Sequence, residues 1–145
     1  DAEDDRHDSE LRNSDIPETE RLQLVNARRG QGPFKTRVGQ IEKRCRVTGV
    51  SEIKHLTASH IKPWRSSTRF EKLDGNNGLL LSPHVDHLFD RGYISFSEDG
   101  SLLVSTQIQN DILVSWGIDV NLNVGRFQLE QETYLQFPRD NVFKR

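Results

Sequence analysis

The feature that most constrains the fold is an apolar run followed at once by a helix start. Gly78-Leu-Leu-Leu81 is long enough for one short buried strand, and Ser82-Pro83 then supplies an N-cap residue and a proline at the first helical position. The pattern predicts a helix over 83–91 that ends at Gly92. Residues 53–60 predict an extended strand upstream. The centre of the chain therefore predicts a strand–strand–helix unit.

Shorter patterns predict two helices and a strand before this unit. Pro17, with carboxylates and apolar residues after it, begins a helix that residues 30–33 interrupt. Phe34 and the apolar residues that follow at helical spacing predict a second helix. Residues 45–49 predict a short strand that ends in a glycine turn.

The C-terminal half predicts smaller elements around the same unit. Residues 66–76 are polar and predict a loop, whereas 93–96 and 101–105 flank a turn and predict a β-hairpin. A short helix is predicted over 109–116, and the tail to residue 145 is apolar enough to pack back on the domain. The fold class is therefore α+β, with a ββα core, N-terminal helices, and a C-terminal β-hairpin and helix packed on it.

Length and charge limit the kind of protein. The 145 residues fit one domain, the single cysteine excludes an internal disulfide, and no apolar run approaches the roughly 18–20 residues of a membrane span. Residues 21–72 hold 13 Lys/Arg against three Asp/Glu, whereas residues 1–20 hold nine Asp/Glu against two Lys/Arg. The basic block suits a phosphate backbone, although a solvated surface is an equal alternative. We expect residues 1–16 to be an acidic disordered linker and 17–145 to be the domain.

Polar residues stand at the joints of the strand–strand–helix unit. His60 ends the first predicted strand, Asn77 precedes the second, and Asp86 and Asp90 lie about 40° apart on one face of the helix. Carboxylates at this spacing repel each other, and a hard cation with oxygen ligands removes the repulsion. Taken singly, such a pair on a helix is more often solvated, and a histidine at a strand end is more often a structural group.

The motifs together resemble one family. The segments Leu56-Thr-Ala-Ser-His-Ile-Lys-Pro-Trp64, Asn77-Gly-Leu-Leu-Leu81 and Leu88-Phe-Asp-Arg-Gly92 resemble the HNH endonucleases, whose core is the ββα-metal fold. The resemblance covers roughly residues 45–97. It implies that His60 is the general base for a water, that Asn77 hydrogen-bonds the ring of that base and holds the loop, and that Asp86 and Asp90 bind a metal. The pKa of His60 is expected to suit this task without large tuning.

Two departures from the family pattern concern the metal. Asp86 stands where the family has its last histidine, and Ser59 stands where many members have a further ligand. Mg²⁺ is the expected ion, with Mn²⁺ or Ni²⁺ as alternatives. His84, His87 and Ser59 are the alternative ligands. The nucleic-acid contacts are assigned to basic residues, and Arg28, Arg29, Lys35 and Arg37 are expected to lie away from the chemistry, whereas Lys62, Arg65, Arg69 and Arg91 lie beside it.

The resemblance implies a metal-dependent endonuclease domain acting on double-stranded DNA in restriction or phage defence. A specificity or sensor domain upstream in the same chain, a bacterial cytoplasmic location and a homodimer are further expectations. Two alternatives stay open: an inactive DNA-binding module that kept the fold, and an RNA nuclease, because phosphate contacts do not distinguish the two nucleic acids.

Overall fold

The computed structural model of the protein describes residues 16–145. The helices are α1 (Glu18–Arg28), α2 (Gly32–Ile41), α3 (Arg69–Leu73), α4 (Pro83–Asp90), α5 (Asn110–Ser115) and α6 (Leu129–Asn141), and the strands are β1 (Thr57–His60), β2 (Gly78–Leu81), β3 (Ile94–Phe96) and β4 (Leu102–Val104). Residues 1–15, which make up nearly all of the acidic segment that was expected to be a linker, lie outside the described residues. Ile16, the last residue of that segment, is buried.

The predicted strand–strand–helix unit is present. Strands β1 and β2 pair antiparallel, with Ser59 opposite Leu79 and His60 opposite Gly78. All four residues of β2 are buried, as a short run of apolar residues requires when both faces are covered. Helix α4 packs on both strands, and this places its acidic pair beside the end of β1. The ββα core and the α+β class are confirmed.

The two N-terminal helices pack on the same core. Phe34 and Val38 of α2 are fully buried and reach the start of β2. A Cβ atom on Gly78 would lie 2.4 Å from a methyl carbon of Val38 and 2.9 Å from the Phe34 ring. Only glycine permits this approach, so α2 and β2 are in direct contact at the point where β2 pairs with His60.

Three local predictions were wrong. Residues 45–49 form a turn, not a strand, because the Gly49 amide donates back to the Cys45 carbonyl at 2.8 Å and Gly49 has a φ of +81°. The first strand covers only Thr57–His60, since 53–55 form a 3-10 turn. The polar stretch 66–76 contains α3, whose first turn is capped reciprocally by Thr68 and Glu71.

The C-terminal elements close around the unit. β3 and β4 form the predicted antiparallel hairpin, α5 lies within the predicted short helix, and α6 returns to the core through buried Leu135. The guanidinium of Arg46 donates to the carbonyl oxygens of 124, 125 and 126, which ties the start of the central segment to the tail. No helix described over 16–145 has the length and apolar character to cross a bilayer.

Candidate active site

A cleft of about 420 Å³ lies where the end of α1, strand β1 and helix α4 meet. The side chains along its wall that can take part in chemistry are Arg28, Arg29, Ser59, His60, Arg65, Asp86 and Asp90. The fold thus brings the predicted base and both predicted metal ligands to one cavity. It adds three arginines, two of which come from a helix far away in sequence.

The imidazole of His60 is held between two aromatic rings. It stacks on Phe34 with ring centroids 4.1 Å apart and planes inclined by 1°, and Trp64 meets it edge-on at 5.5 Å. The Nε2 atom lies 2.8 Å from the main-chain carbonyl oxygen of Lys72. A carbonyl can only accept, so we assign the proton to Nε2, and the neutral ring then has its lone pair on Nδ1.

The environment of His60 shifts its acidity strongly. The pKa of His60 falls from 6.5 to about 4, chiefly because burial disfavours the charged ring; the hydrogen bond to the Lys72 carbonyl opposes this shift, and the nearby ammonium of Lys72 adds to it. The ring is therefore neutral at pH 7. The expectation that this histidine needs no large tuning is wrong, because stacking on Phe34 removes it from water.

Asn77 holds the loop next to the base, but its side-chain hydrogen bonds go to other groups than the His60 ring. Its side-chain oxygen accepts from the Lys62 amide at 2.8 Å, and its side-chain nitrogen donates to the Glu71 carbonyl at 2.9 Å. The sequence-based expectation of a hydrogen bond from Asn77 to the ring is wrong, since the Lys72 carbonyl occupies that position. Asn77 joins the chain after His60 to α3, and α3 carries that carbonyl.

The acidic pair is partly withdrawn from water. Asp86 is half-buried and accepts a hydrogen bond from the Ser59 hydroxyl, whereas Asp90 is exposed. Burial raises the pKa of Asp86; the Ser59 hydrogen bond opposes this shift, and the neighbouring charge of Asp90 adds to it. A buried carboxylate near a second carboxylate is a costly arrangement unless a cation compensates it. The pair therefore fits a hard divalent ion.

The donor set is small for a metal. Within the described part of the chain, no group of three or more His, Cys, Asp or Glu side chains is placed to hold an ion. His84 and His87, the alternative ligands, turn towards the indole of Trp116, at ring distances of 5.8 and 6.2 Å, and neither lines the cleft. Ser59, the third alternative ligand, lines the cleft but already donates its hydroxyl proton to Asp86.

A glycine explains why two arginines reach the cleft. Gly30 follows the end of α1 with a φ of +67°, and a Cβ atom there would lie 2.5 Å from the carbonyl oxygen of Ala58 in β1. The turn is thus packed directly on the strand that carries Ser59 and His60. The expectation that Arg28 and Arg29 lie away from the chemistry is wrong.

The other predicted nucleic-acid residues are dispersed. Arg37 donates to the Leu73 carbonyl, and Arg69 pairs with Glu20 at 3.1 Å on a separate surface. Lys62 pairs with Glu71 at 3.1 Å. Lys35 is half-buried on α2, and the guanidinium of Arg91 lies 4.0 Å from the carboxylate of Asp90. Arg65 is the member of the downstream group that lines the cleft.

Sequence reasoning missed the residues that frame the base. Phe34 and the Lys72 carbonyl contact His60 from elements outside the motif strings that suggested the site. A main-chain carbonyl leaves no signal in a sequence. The signal for Phe34 was its helical spacing with Val38, which predicted burial but not the identity of its neighbour.

A strand pair and a helix, with a histidine at the end of the first strand and an acidic pair on the helix, define the ββα class of site. Residues 45–97 match the family model described as HNH endonuclease. The match covers the same residues as the motifs and confirms their resemblance to the HNH endonucleases, a family whose members are generally nucleases. No curated protein matches the chain significantly.

Proposed function

We propose that residues 17–145 are a metal-dependent endonuclease domain that hydrolyses phosphodiester bonds in double-stranded DNA. The observation that carries the proposal is the cleft itself, in which a neutral histidine, two carboxylates and three arginines meet. A proton acceptor, a cation site and anion-binding groups are the parts that hydrolysis of an anionic ester needs.

His60 is the proposed general base. Its Nε2 proton is held by the Lys72 carbonyl, so Nδ1 is free to take a proton from the attacking water. The lowered pKa keeps the ring unprotonated at neutral pH but makes it a weaker base than a histidine whose pKa is near 7. An anionic phosphate in the cleft favours the imidazolium and raises this pKa in the complex.

Asp86 and Asp90 would hold the divalent ion, with Mg²⁺ preferred by carboxylate oxygens and Mn²⁺ or Ni²⁺ as alternatives. When bound, the ion stabilises the negative charge that develops on the phosphate during hydrolysis. The Ser59 hydroxyl donates to Asp86 and thereby orients this carboxylate. Asn77 acts as a positioning residue, because it fixes α3 and hence the carbonyl that holds His60.

The three arginines of the cleft are the proposed phosphate contacts. Arg28 is the last residue of α1 and Arg29 follows it, whereas Arg65 approaches from the 3-10 turn after β1. Guanidinium groups bind phosphate oxygens with two parallel hydrogen bonds, which fixes the backbone as well as attracting it. These contacts carry no sequence information. We therefore propose that target choice resides in a specificity or sensor domain upstream.

We also propose a biological setting for this chemistry. A nuclease that recognises the phosphate backbone must be confined to foreign DNA by other means, which suits restriction or phage defence in a bacterial cytoplasm. Cleavage of both strands by a single-site enzyme is simplest when two copies act together, so a homodimer is part of the proposal.

The test removes the base and the metal site separately. In His60→Gln the side-chain amide can still donate to the Lys72 carbonyl but cannot accept a proton, so plasmid cleavage should fall at least about a hundredfold while the melting temperature changes little. Asp86→Asn with Asp90→Asn should abolish Mg²⁺ binding in calorimetry, and EDTA should stop the wild type. Cleavage by His60→Gln above roughly a hundredth of the wild-type rate would remove His60 from this role.

A second candidate is a nucleic-acid-binding module that does not cleave. The small donor set favours it, because residues 16–145 contain no group of three or more His, Cys, Asp or Glu side chains placed to hold an ion, and the Ser59 hydroxyl already donates to Asp86. Such a module would bind DNA equally with and without Mg²⁺ and would leave plasmid intact. A matched RNA duplex in the same assay distinguishes the third possibility, an RNA nuclease.

A further inference from the structure

Helix α4 carries a second surface that the cleft does not use. The rings of His84 and His87 both meet Trp116 nearly at right angles, at 84° and 78°, with centroids 5.8 and 6.2 Å away. His87 is the next residue after Asp86. The indole therefore lies against the same helix that carries the acidic pair, a short way around its circumference.

The main chain at Trp116 is held by hydrogen bonds, whereas the residue is open to solvent. Its amide donates to the carbonyls of Ile112 and Leu113 at 3.0 and 3.1 Å, and the chain after it is anchored by buried Ile118. Despite this anchoring, 42% of the residue is exposed. An aromatic ring on a fixed backbone binds a flat partner at a small cost in conformational entropy.

The surface continues with a further ring and a cation. Tyr93 lies 6.3 Å from the ring of His87, and the ammonium of Lys144 sits 4.3 Å above Tyr93. The row therefore runs from Trp116 through His87 to Lys144. Aromatic rings beside cationic groups are how proteins hold single-stranded nucleic acid, with bases on the rings and phosphates on the cations.

We propose that Trp116 is a stacking platform for an unpaired base next to the cleavage position, with His87 and Tyr93 extending the surface beside it. The proposal rests on the proposed function, because the cleft must hold the phosphate backbone for the platform to meet the neighbouring base. Two observations favour nucleic acid as the occupant: α4 carries both His87 and the acidic pair of the cleft, and the cation of Lys144 lies over Tyr93 at the end of the row. The preferred substrate is then a duplex interrupted by a gap, flap or bubble near the scissile bond.

The experiment compares binding of two DNA probes in EDTA, where no cleavage occurs. One is a fully paired duplex and the other has the same sequence with a short single-stranded gap. Trp116→Ala should weaken binding of the gapped probe by about fivefold to a hundredfold and of the duplex by no more than about twofold. Trp116→Phe should restore most of the preference. Val114→Ala, at a residue 69% exposed in the helix that ends just before Trp116, should change neither.

Fluorescence gives a second readout, because Trp64 is buried and acrylamide reaches mainly Trp116. Gapped DNA should protect this fluorescence from quenching more than duplex does. Equal losses on both probes, no loss with Trp116→Ala, or a shift of the wild type from dimer to monomer caused by this substitution would overturn the proposal, the last by assigning the surface to a second copy. A Trp116-dependent preference in a protein that never cleaves would support the platform and count only against the enzyme.

Discussion

At the scale of single residues, His60 combines features that are rarely found together in an exposed histidine. One face is covered by Phe34, an edge is closed by Trp64, and one nitrogen is bound to a main-chain carbonyl. Stacking and the hydrogen bond fix both the orientation and the tautomer of the ring. The same burial disfavours its charged form, so the geometry that makes His60 a well-placed base also makes it a costly residue at acid pH.

This cost predicts a specific pH dependence of stability. The unfolded chain binds a proton on His60 below about pH 6.5, whereas the folded chain resists protonation down to about pH 4. Stability should therefore fall as the pH falls through this window, by up to about 3 kcal/mol from this group. His60→Phe should remove that part of the dependence in urea titrations made from pH 7 to 4.5. His55→Phe, at an exposed histidine, is the control and should keep the wild-type dependence.

At the scale of elements, the turn after α1 determines whether the arginines reach the cleft. Gly30 has a φ of +67° and a Cβ atom there would collide with the Ala58 carbonyl at 2.5 Å. Gly30→Ala should therefore destabilise the fold by about 1–3 kcal/mol, shift the arginines and weaken DNA binding. Urea denaturation and a DNA-binding titration measure the two effects.

The same chain contains a matched control for this substitution. Gly39 lies inside α2, has no heavy atom within 4 Å of an added Cβ, and does not have a positive φ. Gly39→Ala should stabilise the helix by about 0.5–1 kcal/mol and leave DNA binding unchanged. If Gly30→Ala and Gly39→Ala had the same effect on DNA binding, the close packing of the turn after α1 on β1 would not matter to binding.

Element prediction succeeded where short-range chemistry decides the outcome. Helix α4 starts at Pro83, as the Ser82-Pro83 pair predicted, although the Ser82 hydroxyl is hydrogen-bonded to that of Thr48 and does not cap the helix. The apolar run before it forms β2, also as predicted. Prediction failed in the stretch 66–76, whose polar composition concealed the reciprocal cap between Thr68 and Glu71 that starts α3. Composition describes a segment's preference for water, whereas a cap depends on two residues at one spacing.

The sequence predicted which residues form the site, but it did not predict which neighbours those residues contact. The motifs nominated His60, Asp86 and Asp90, and the structure places all three in one cleft. The Lys72 carbonyl, the Phe34 stack and the approach of the α1 turn depend on how distant segments pack. A periodicity predicts that a residue is buried, but it does not name the partner. For this reason the position of Arg28 and Arg29 was misjudged.

At the scale of the whole molecule, the basic charge divides into two groups. Arg28, Arg29 and Arg65 line the cleft, whereas Arg37 and Arg69 lie on another surface around Gly75. If the cleft group is the DNA footprint, replacing its three members with Gln should weaken duplex binding and flatten its salt dependence. The slope of log K against log salt should fall by about 0.9 for each phosphate that the variant no longer neutralises. A titration series from low to high salt measures this.

A double substitution on the second surface is the control for a loss of positive charge outside the cleft. Arg37→Gln with Arg69→Gln removes two charges that are already engaged with Gln23, the Leu73 carbonyl and Glu20. This variant should keep nearly the wild-type salt slope. An unaltered slope in the cleft variant, together with a flattened one in the control, would place the DNA on the surface around Gly75.

The stack of His60 on Phe34 has a consequence for how this motif can be inherited. The family match covers residues 45–97, yet the proposed base rests on a side chain of α2, eleven positions before that segment begins. Residues 45–97 therefore could not be moved alone into another protein with the environment of the base intact. A descendant that exchanged α2 for a different helix would retain every signature residue and lose the support of its base.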